Sequence, residues 1–204
     1  MVREHECGDD LVMAQRARLP TAYGNFAVHA FVCPETRAEH IALVRGRVRG
    51  GRDVPVRVHS QCVTGDVFGS TRCDCGKQLD RALRMIARRP RGVLLYLSQE
   101  GRGIGIANKI AAYHLQDRGL DTVAANELLG FPPDARNYRC AAAMLRSLGV
   151  ASVELMTNNP AKITDLQRNG IRVARRIPMA VRATAANRRY LRTKRTKMGH
   201  LLRE

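Results

Sequence analysis

The 204-residue sequence has no tryptophan and only 4% aromatic residues, and nowhere does it hold a long apolar run. The apolar stretch Val93–Leu97 falls far short of the about 20 residues that a membrane-spanning helix needs, so no such helix is expected. The first twenty residues carry Arg3 among Glu4, Glu6, Asp9 and Asp10 around no apolar block. Neither a secretory signal nor an acid-poor transit peptide is expected there, and the expected location is cytoplasmic. Internal repeats and low-complexity tracts are also missing, and Gly and Pro are scattered rather than gathered into a linker. Negative charge is scarce as well: 18 Asp and Glu face 35 Lys and Arg, of which only five are Lys, for a net charge of +17. Such a surplus attracts polyanions, either nucleic acid or phosphorylated small molecules. Nucleic-acid surfaces usually interleave aromatic side chains with their cations, so the shortage of aromatics favours the phosphorylated ligand. Ten of the cations fall in the last thirty residues against Glu204 alone, the pattern of a solvated basic helix.

Length and a 45% apolar content fit one domain with an ordinary core. Residues 40–45 read as a strand, and Val54, Val56 and Val58 alternate with Arg57 and His59, which the alternation places on the opposite face. Leu79, Leu83 and Ile86 lie at helical spacing within residues 77–88. From Gly92 the pattern becomes α/β. Val93–Leu97 is a buried strand, followed by a Gly-rich turn and a helix carrying Ile106, Ile110 and Tyr113. Asp134 opens a helix to Leu148; residues 152–157 form a strand; Asn159-Pro160 starts a helix stopped by Gly170. Residues 171–173 and 187–202 read as a strand and a terminal helix. The fold class expected is α/β, a single domain with a mixed sheet flanked by helices and an N-terminal part richer in β. Residues 1–17 are expected to be a poorly ordered extension of a domain spanning 18–204. Ligands in such folds lie at strand carboxyl ends.

Six cysteines without a signal peptide argue against a disulfide framework. Cys7, Cys33 and Cys140 stand alone and read as buried small hydrophobes or inert thiols. Cys62, Cys73 and Cys75 form C-x10-C-x-C just after His59. Three thiolates leave a fourth tetrahedral position for water, as a catalytic zinc requires, whereas His59 as a fourth ligand would make a closed structural site. Spacing alone leaves both open, along with unligated cysteines.

The stretch Arg57 to Asp66 (RVHSQCVTGD), Arg72 to Gly76 (RCDCG) with Gln78, and Gln99 to Gly105 (QEGRGIG) resembles the GTP cyclohydrolase II family. So do Asp121 to Asn126, Asp134-Ala-Arg136, Thr157 to Lys162 (TNNPAK) and Asn187 to His200, over roughly residues 18 to 203. The resemblance implies one Zn²⁺ per chain held by Cys62, Cys73 and Cys75, and hydrolytic opening of the guanine imidazole ring of GTP. Formate and pyrophosphate leave, with Mg²⁺ on the triphosphate, as the opening step of riboflavin biosynthesis. It further implies that Arg57, Gln61, Gln78, Glu100, Gly101, Arg102, Thr122, Thr157 and Lys162 bind GTP. Asp134 is implied as proton acceptor, Arg136 as nucleophile toward the α-phosphate, and Tyr113 as a residue near the zinc water. A homodimer is implied too. Protonated arginine is a poor nucleophile, so a purely electrostatic Arg136 is the other reading. Gln61 replaces a Glu common in the family, and Ala124 another, so a paralogue feeding a specialised pathway is an alternative. A basic zinc protein binding nucleic acid is the rival from another class.

Overall fold

In the computed structural model, residues 11–179, 181 and 183–202 are described; Cys7 lies outside them. Seven strands, β1 (Val12–Thr21), β2 (Gly24–Val32), β3 (Glu39–Arg45), β4 (Val54–Ser60), β5 (Gly92–Leu97), β6 (Val153–Met156) and β7 (Val173–Ile177), form one sheet in the order β1-β2-β3-β5-β4-β6-β7. The β1, β2, β3 and β5 neighbours pair antiparallel, whereas β5, β4, β6 and β7 pair parallel. The helices are α1 (Val63–Asp66), α2 (Cys75–Ala87), α3 (Gly105–Asp117), α4 (Thr122–Leu128), α5 (Arg139–Ser147), α6 (Pro160–Arg168) and α7 (Arg188–Met198). Among the described residues no helix is long and apolar enough to cross a membrane.

β4 sits between β5 and β6 and is buried along nearly its whole length. Its Val54, Val56 and Val58 join Val93, Leu95, Leu97 and Leu155 in a core closed by Ala141, Met144 and Leu145 of α5 and Leu166 of α6. The other sheet face packs Phe26, Leu94 and Met156 on Ala82 and Ile86 of α2. Each fully buried Val or Leu contributes roughly 1.5–3 kcal/mol. Helices on both faces leave the carboxyl ends of β4, β5 and β6 as the place where loops converge.

Several elements differ from the sequence expectation. A hairpin of β1 and β2 precedes the strands read from the sequence, with Thr21 Oγ1 donating to the Gly24 carbonyl at 2.7 Å. β1 starts at Val12, so the boundary drawn at residue 18 falls inside a strand. α5 begins at Arg139 rather than Asp134, because the Asp134 carboxylate is bound by Arg136 within a loop, and Tyr138 N–H donates to Asp165 at 2.6 Å. β7 runs Val173–Ile177 rather than 171–173: Arg175 lies in it with its Nε donating to Glu154 at 2.6 Å. α7 ends at Met198 rather than 202, since Gly199 (φ 63°) takes the left-handed conformation that terminates helices. α6 starts as expected, with the Asn159 side chain accepting from Ala161 N–H at 3.0 Å and Pro160 in the first turn. α4 was not anticipated; Asp121 caps it by accepting from Val123 and Ala124 N–H.

Candidate active site

A cleft opens where β4, β5 and β6 end. Cys62 follows β4, Cys73 precedes α2 and Cys75 is the first residue of α2, and their sulfurs all lie within 4.8 Å of one another. The Cys62 and Cys73 sulfurs are 3.7 Å apart. Gly65 makes the cluster possible, because a Cβ there would stand 2.8 Å from Cys73 Sγ and 3.2 Å from Cys62 Sγ. Gly76 has the same relation to Gly65, whose carbonyl oxygen would be 2.2 Å from an added Cβ. Hydrogen bonds from Cys73 and Cys75, and then the Lys109 ammonium, hold the Cys62 thiol well below its ordinary range, while the bond to Cys62 pushes Cys73 up to about 11. Three converging sulfurs, those of Cys62 and Cys73 on buried residues, fit a cation such as Zn²⁺.

His59 does not join the cluster. Its Nε2 is turned to Asp66, 3.0 Å from Oδ2, and the same oxygen accepts from Tyr96 OH and Cys62 N–H, each at 3.0 Å. The buried Asp66 carboxylate thereby fixes the backbone at the first sulfur, as groups behind metal ligands commonly do. Tyr113 stands close by, its hydroxyl 3.1 Å from Thr64 Oγ1, with the Arg72 guanidinium 4.9 Å over its ring.

Cations line the same cleft. Arg57 donates to the Met156 carbonyl at 2.9 Å and to Gln78 Oε1 at 2.6 Å. Gln78 in turn binds Asp74, which also accepts from Lys194 Nζ at 2.7 Å. Lys162 lies buried with Nζ donating to the Val58 carbonyl at 2.8 Å. Burial, and then the charges of Arg57 and Arg136, lower its pKa well below the ordinary lysine value. His200 is pushed down to about 3 by burial and by the charges of Lys194, Arg136, Lys162 and Arg102. Burial is the larger cause of both shifts, and to it is added a local excess of positive charge that an anion would relieve. Arg57 Nε, Arg102 Nη2 and His200 Nε2 are buried without a hydrogen-bond partner, which fits a cleft whose polar wall is completed by a ligand.

Arg136 lines the cleft too and is gripped by Asp134, Nε to Oδ1 at 2.8 Å and Nη2 to Oδ2 at 2.5 Å. Burial opposes the Arg136 charge, but Tyr138 and Asp134 outweigh it and hold the guanidinium protonated more firmly than usual. Burial likewise works against ionisation of Asp134, and Arg136 overcomes it to lower the carboxyl pKa. Arg102 has φ 65°, and its carbonyl accepts from Ala135 N–H at 3.2 Å, tying the glycine turn to the loop that bears Arg136.

The cleft therefore gathers every residue implied by resemblance except Asp134, which reaches it through Arg136. Gln61, Gly101, Thr122 and Thr157 line it beside the residues described above. Sequence reasoning assigned no role to Asp66, Lys109, Tyr190, Lys194 or His200, although all but Lys109 lie in the stretches that carry the resemblance. The run Asn187 to His200 was noticed, yet nothing local marked its basic helix as turning Lys194 inward to Asp74.

A thiol cluster beside a cation-lined cleft, at the carboxyl edge of a parallel half-sheet, has the residues to hold a metal ion and an anionic ligand, as a metal-dependent enzyme acting on such a ligand would. Residues 12–178 match the family GTP cyclohydrolase II. The chain is 55% identical over 185 residues to riboflavin biosynthesis protein RibBA of Bacillus subtilis, covering 90% of this chain and 46% of that protein. It is 53% identical over 199 residues to RibBA of Nocardia farcinica, covering 97% and 48% respectively. The chain thus spans about half the length of these curated relatives. A solved structure, the two-domain 3,4-dihydroxy-2-butanone 4-phosphate synthase RibBX from A. baumannii, has a TM-score of 0.41 at 19% identity, covering 76% of this chain and 35% of that one. The chain belongs to the GTP cyclohydrolase II family, enzymes of the hydrolase class.

Proposed function

We propose that this protein, a cytoplasmic homodimer, opens the guanine imidazole ring of GTP with zinc. The products are formate, pyrophosphate and 2,5-diamino-6-(5-phosphoribosylamino)pyrimidin-4(3H)-one, and the reaction is the first step of riboflavin biosynthesis. The observation that carries this reading is the placement of the three-sulfur cluster and the lining cations in one cleft, as a substrate with a ring to hydrolyse and a triphosphate to hold requires. Cys62, Cys73 and Cys75 would hold the zinc, which when bound supplies the Lewis acidity that makes water nucleophilic near neutral pH.

The chain's own residues do the rest. Arg57, Arg136, Lys162 and Lys194 bind and orient the triphosphate, taking over part of the neutralisation that Mg²⁺ brings with it. Arg136, held in its charged form by Asp134, stabilises negative charge that builds on the α-phosphate as pyrophosphate leaves; the firm protonation favours this electrostatic role over nucleophilic attack. Tyr113 is placed by Thr64 to donate or accept a proton beside the sulfur cluster. Gln61 follows β4 where relatives commonly carry a carboxylate, and it sets how strongly the purine is recognised rather than the ring-opening rate.

Zinc-loaded protein incubated with GTP and Mg²⁺ is expected to release formate and pyrophosphate together, with the pyrimidine product seen by its ultraviolet spectrum and mass. GTP left intact, or pyrophosphate released with no formate, would refute the reading.

A further inference from the structure

Lys109 is a buried lysine in the cleft that the proposed reaction leaves without a role. Its ammonium donates to Glu100 Oε1 at 2.6 Å and to Cys62 Sγ at 3.1 Å. Glu100 is itself engaged on both oxygens. Oε1 also accepts from Gly101 N–H at 2.9 Å, and Oε2 accepts from Val63 N–H, the residue after Cys62, at 2.6 Å. Gly101 gives the lysine its space, since a Cβ there would stand 3.1 Å from Lys109 Cβ and 3.0 Å from Ile104 Cγ1. The glycine turn, the start of α3 and the loop after β4 are thus pinned together around one ammonium group.

From this geometry we infer that Lys109 is a positioning residue for the metal centre: with Glu100 it fixes the Cys62 sulfur and sets a permanent positive charge against the negative charge of three thiolates. Three thiolates around a divalent cation leave one net negative charge; Glu100 balances the ammonium overall, but the ammonium is the pole turned to Cys62 Sγ, at 3.1 Å, and it lowers the negative potential at that sulfur. A charge-assisted N–H to sulfur bond also draws electron density from Cys62, leaving the metal less neutralised by its ligands. Glu100 supplies the counter-charge that keeps the ammonium in this pocket once a metal arrives. Its carboxylate, accepting from Lys109 Nζ, Gly101 N–H and Val63 N–H, ties Lys109 to the segment after β4. Gly101 correspondingly makes room for the lysine stem.

The inference rests on the reading of Cys62, Cys73 and Cys75 as metal ligands, and the experiment separates the two. Zinc affinity of the full chain is measured by competition with a chromophoric chelator, and the sulfur-to-cobalt charge-transfer bands are recorded on the Co²⁺-substituted protein. Lys109→Met, which keeps the stem and removes the charge, is expected to weaken zinc binding ~10–100-fold and to shift the cobalt bands. Lys109→Arg is expected to recover most of the affinity. Unchanged affinity and bands in Lys109→Met would overturn the inference, as would an equal loss in Lys109→Arg, because charge would then not be the cause. Should Lys109→Met fail to fold, Lys109→Gln is read by the same criteria. Cys73→Ser is measured alongside: normal zinc binding in that variant would refute the metal-ligand reading itself, whereas loss there with none in Lys109→Met would refute only the role of Lys109.

Discussion

Replacing Gly65 with alanine sets two opposed effects against each other. Gly65 lies in α1, and in a helix interior alanine is favoured over glycine by about 1 kcal/mol. The added methyl carbon, however, would sit 2.8 Å from Cys73 Sγ, 3.2 Å from Cys62 Sγ and 3.3 Å from Cys75 Cβ. Carbon and sulfur normally meet at more than about 3.5 Å, so at least two of the three cysteines have to retreat. Overpacking of this kind costs roughly 1–3 kcal/mol. In the metal-free protein helix propensity offsets part of that cost, and stability falls by no more than about 2 kcal/mol. With metal bound there is less room to retreat, because the sulfurs are drawn toward a common centre. If the whole steric cost falls on the metal-bound form, zinc affinity drops roughly 5- to 150-fold. Thermal melts with chelator and with excess zinc measure the two forms separately. Gly65→Ala is expected to lose most of the zinc-dependent rise in Tm while the chelated melts of both proteins stay close. A full zinc-dependent rise in the variant would refute the claim that this glycine is required by the sulfur cluster.

Removing the Arg136 charge with Arg136→Ala should abolish pyrophosphate release and ring opening in single-turnover experiments while GTP still binds; normal pyrophosphate release would exclude any role at the phosphate. Arg136→Lys is expected to retain measurable pyrophosphate release if the role is electrostatic, and none if a guanidinium nucleophile is needed. His200 should make the protein acid-sensitive. Its folded pKa of about 3 lies below its ordinary 6.5, so the neutral form is favoured by folding, and that stability is complete above pH 6.5 and lost as pH falls toward 3. Denaturant titrations from pH 7 to 4 should give a shallower slope for His200→Gln, and an identical slope would remove His200 as the cause.

The sequence was most readable where one residue's neighbours in the chain are also its neighbours in space. Val54, Val56 and Val58 alternate because one face of β4 is core, and the same alternation places Arg57 and His59 on the cleft side. Asn159-Pro160 announces α6 because capping is local. β1 gave no such signal: it is an edge strand exposed along most of its length, with Arg16 and Arg18 in place of apolar residues, and its partners in β2 hold it by backbone pairing. In the site, Cys62, Cys73 and Cys75 stood out because a metal loop keeps its donors close in sequence. Lys109 meets Cys62 across 47 residues and Lys194 meets Asp74 across 120, so each looked like an ordinary basic residue on a helix. Asp134 read as a helix cap because a carboxylate that grips an arginine two residues on leaves the same local pattern.

The cleft draws on distant parts of the chain. The three cysteines all lie before residue 76, but Lys194 and His200 arrive with α7 and the turn after it, where Leu201 N–H closes onto the Asn158 carbonyl at 2.8 Å. Domains acquire structure from the N-terminal side during synthesis, and contacts between distant segments form late. A partly synthesised chain therefore holds all three cysteines before it holds Lys194 and His200. The cleft is complete only with α7 in place, its Lys194 Nζ donating to Asp74 at 2.7 Å between Cys73 and Cys75.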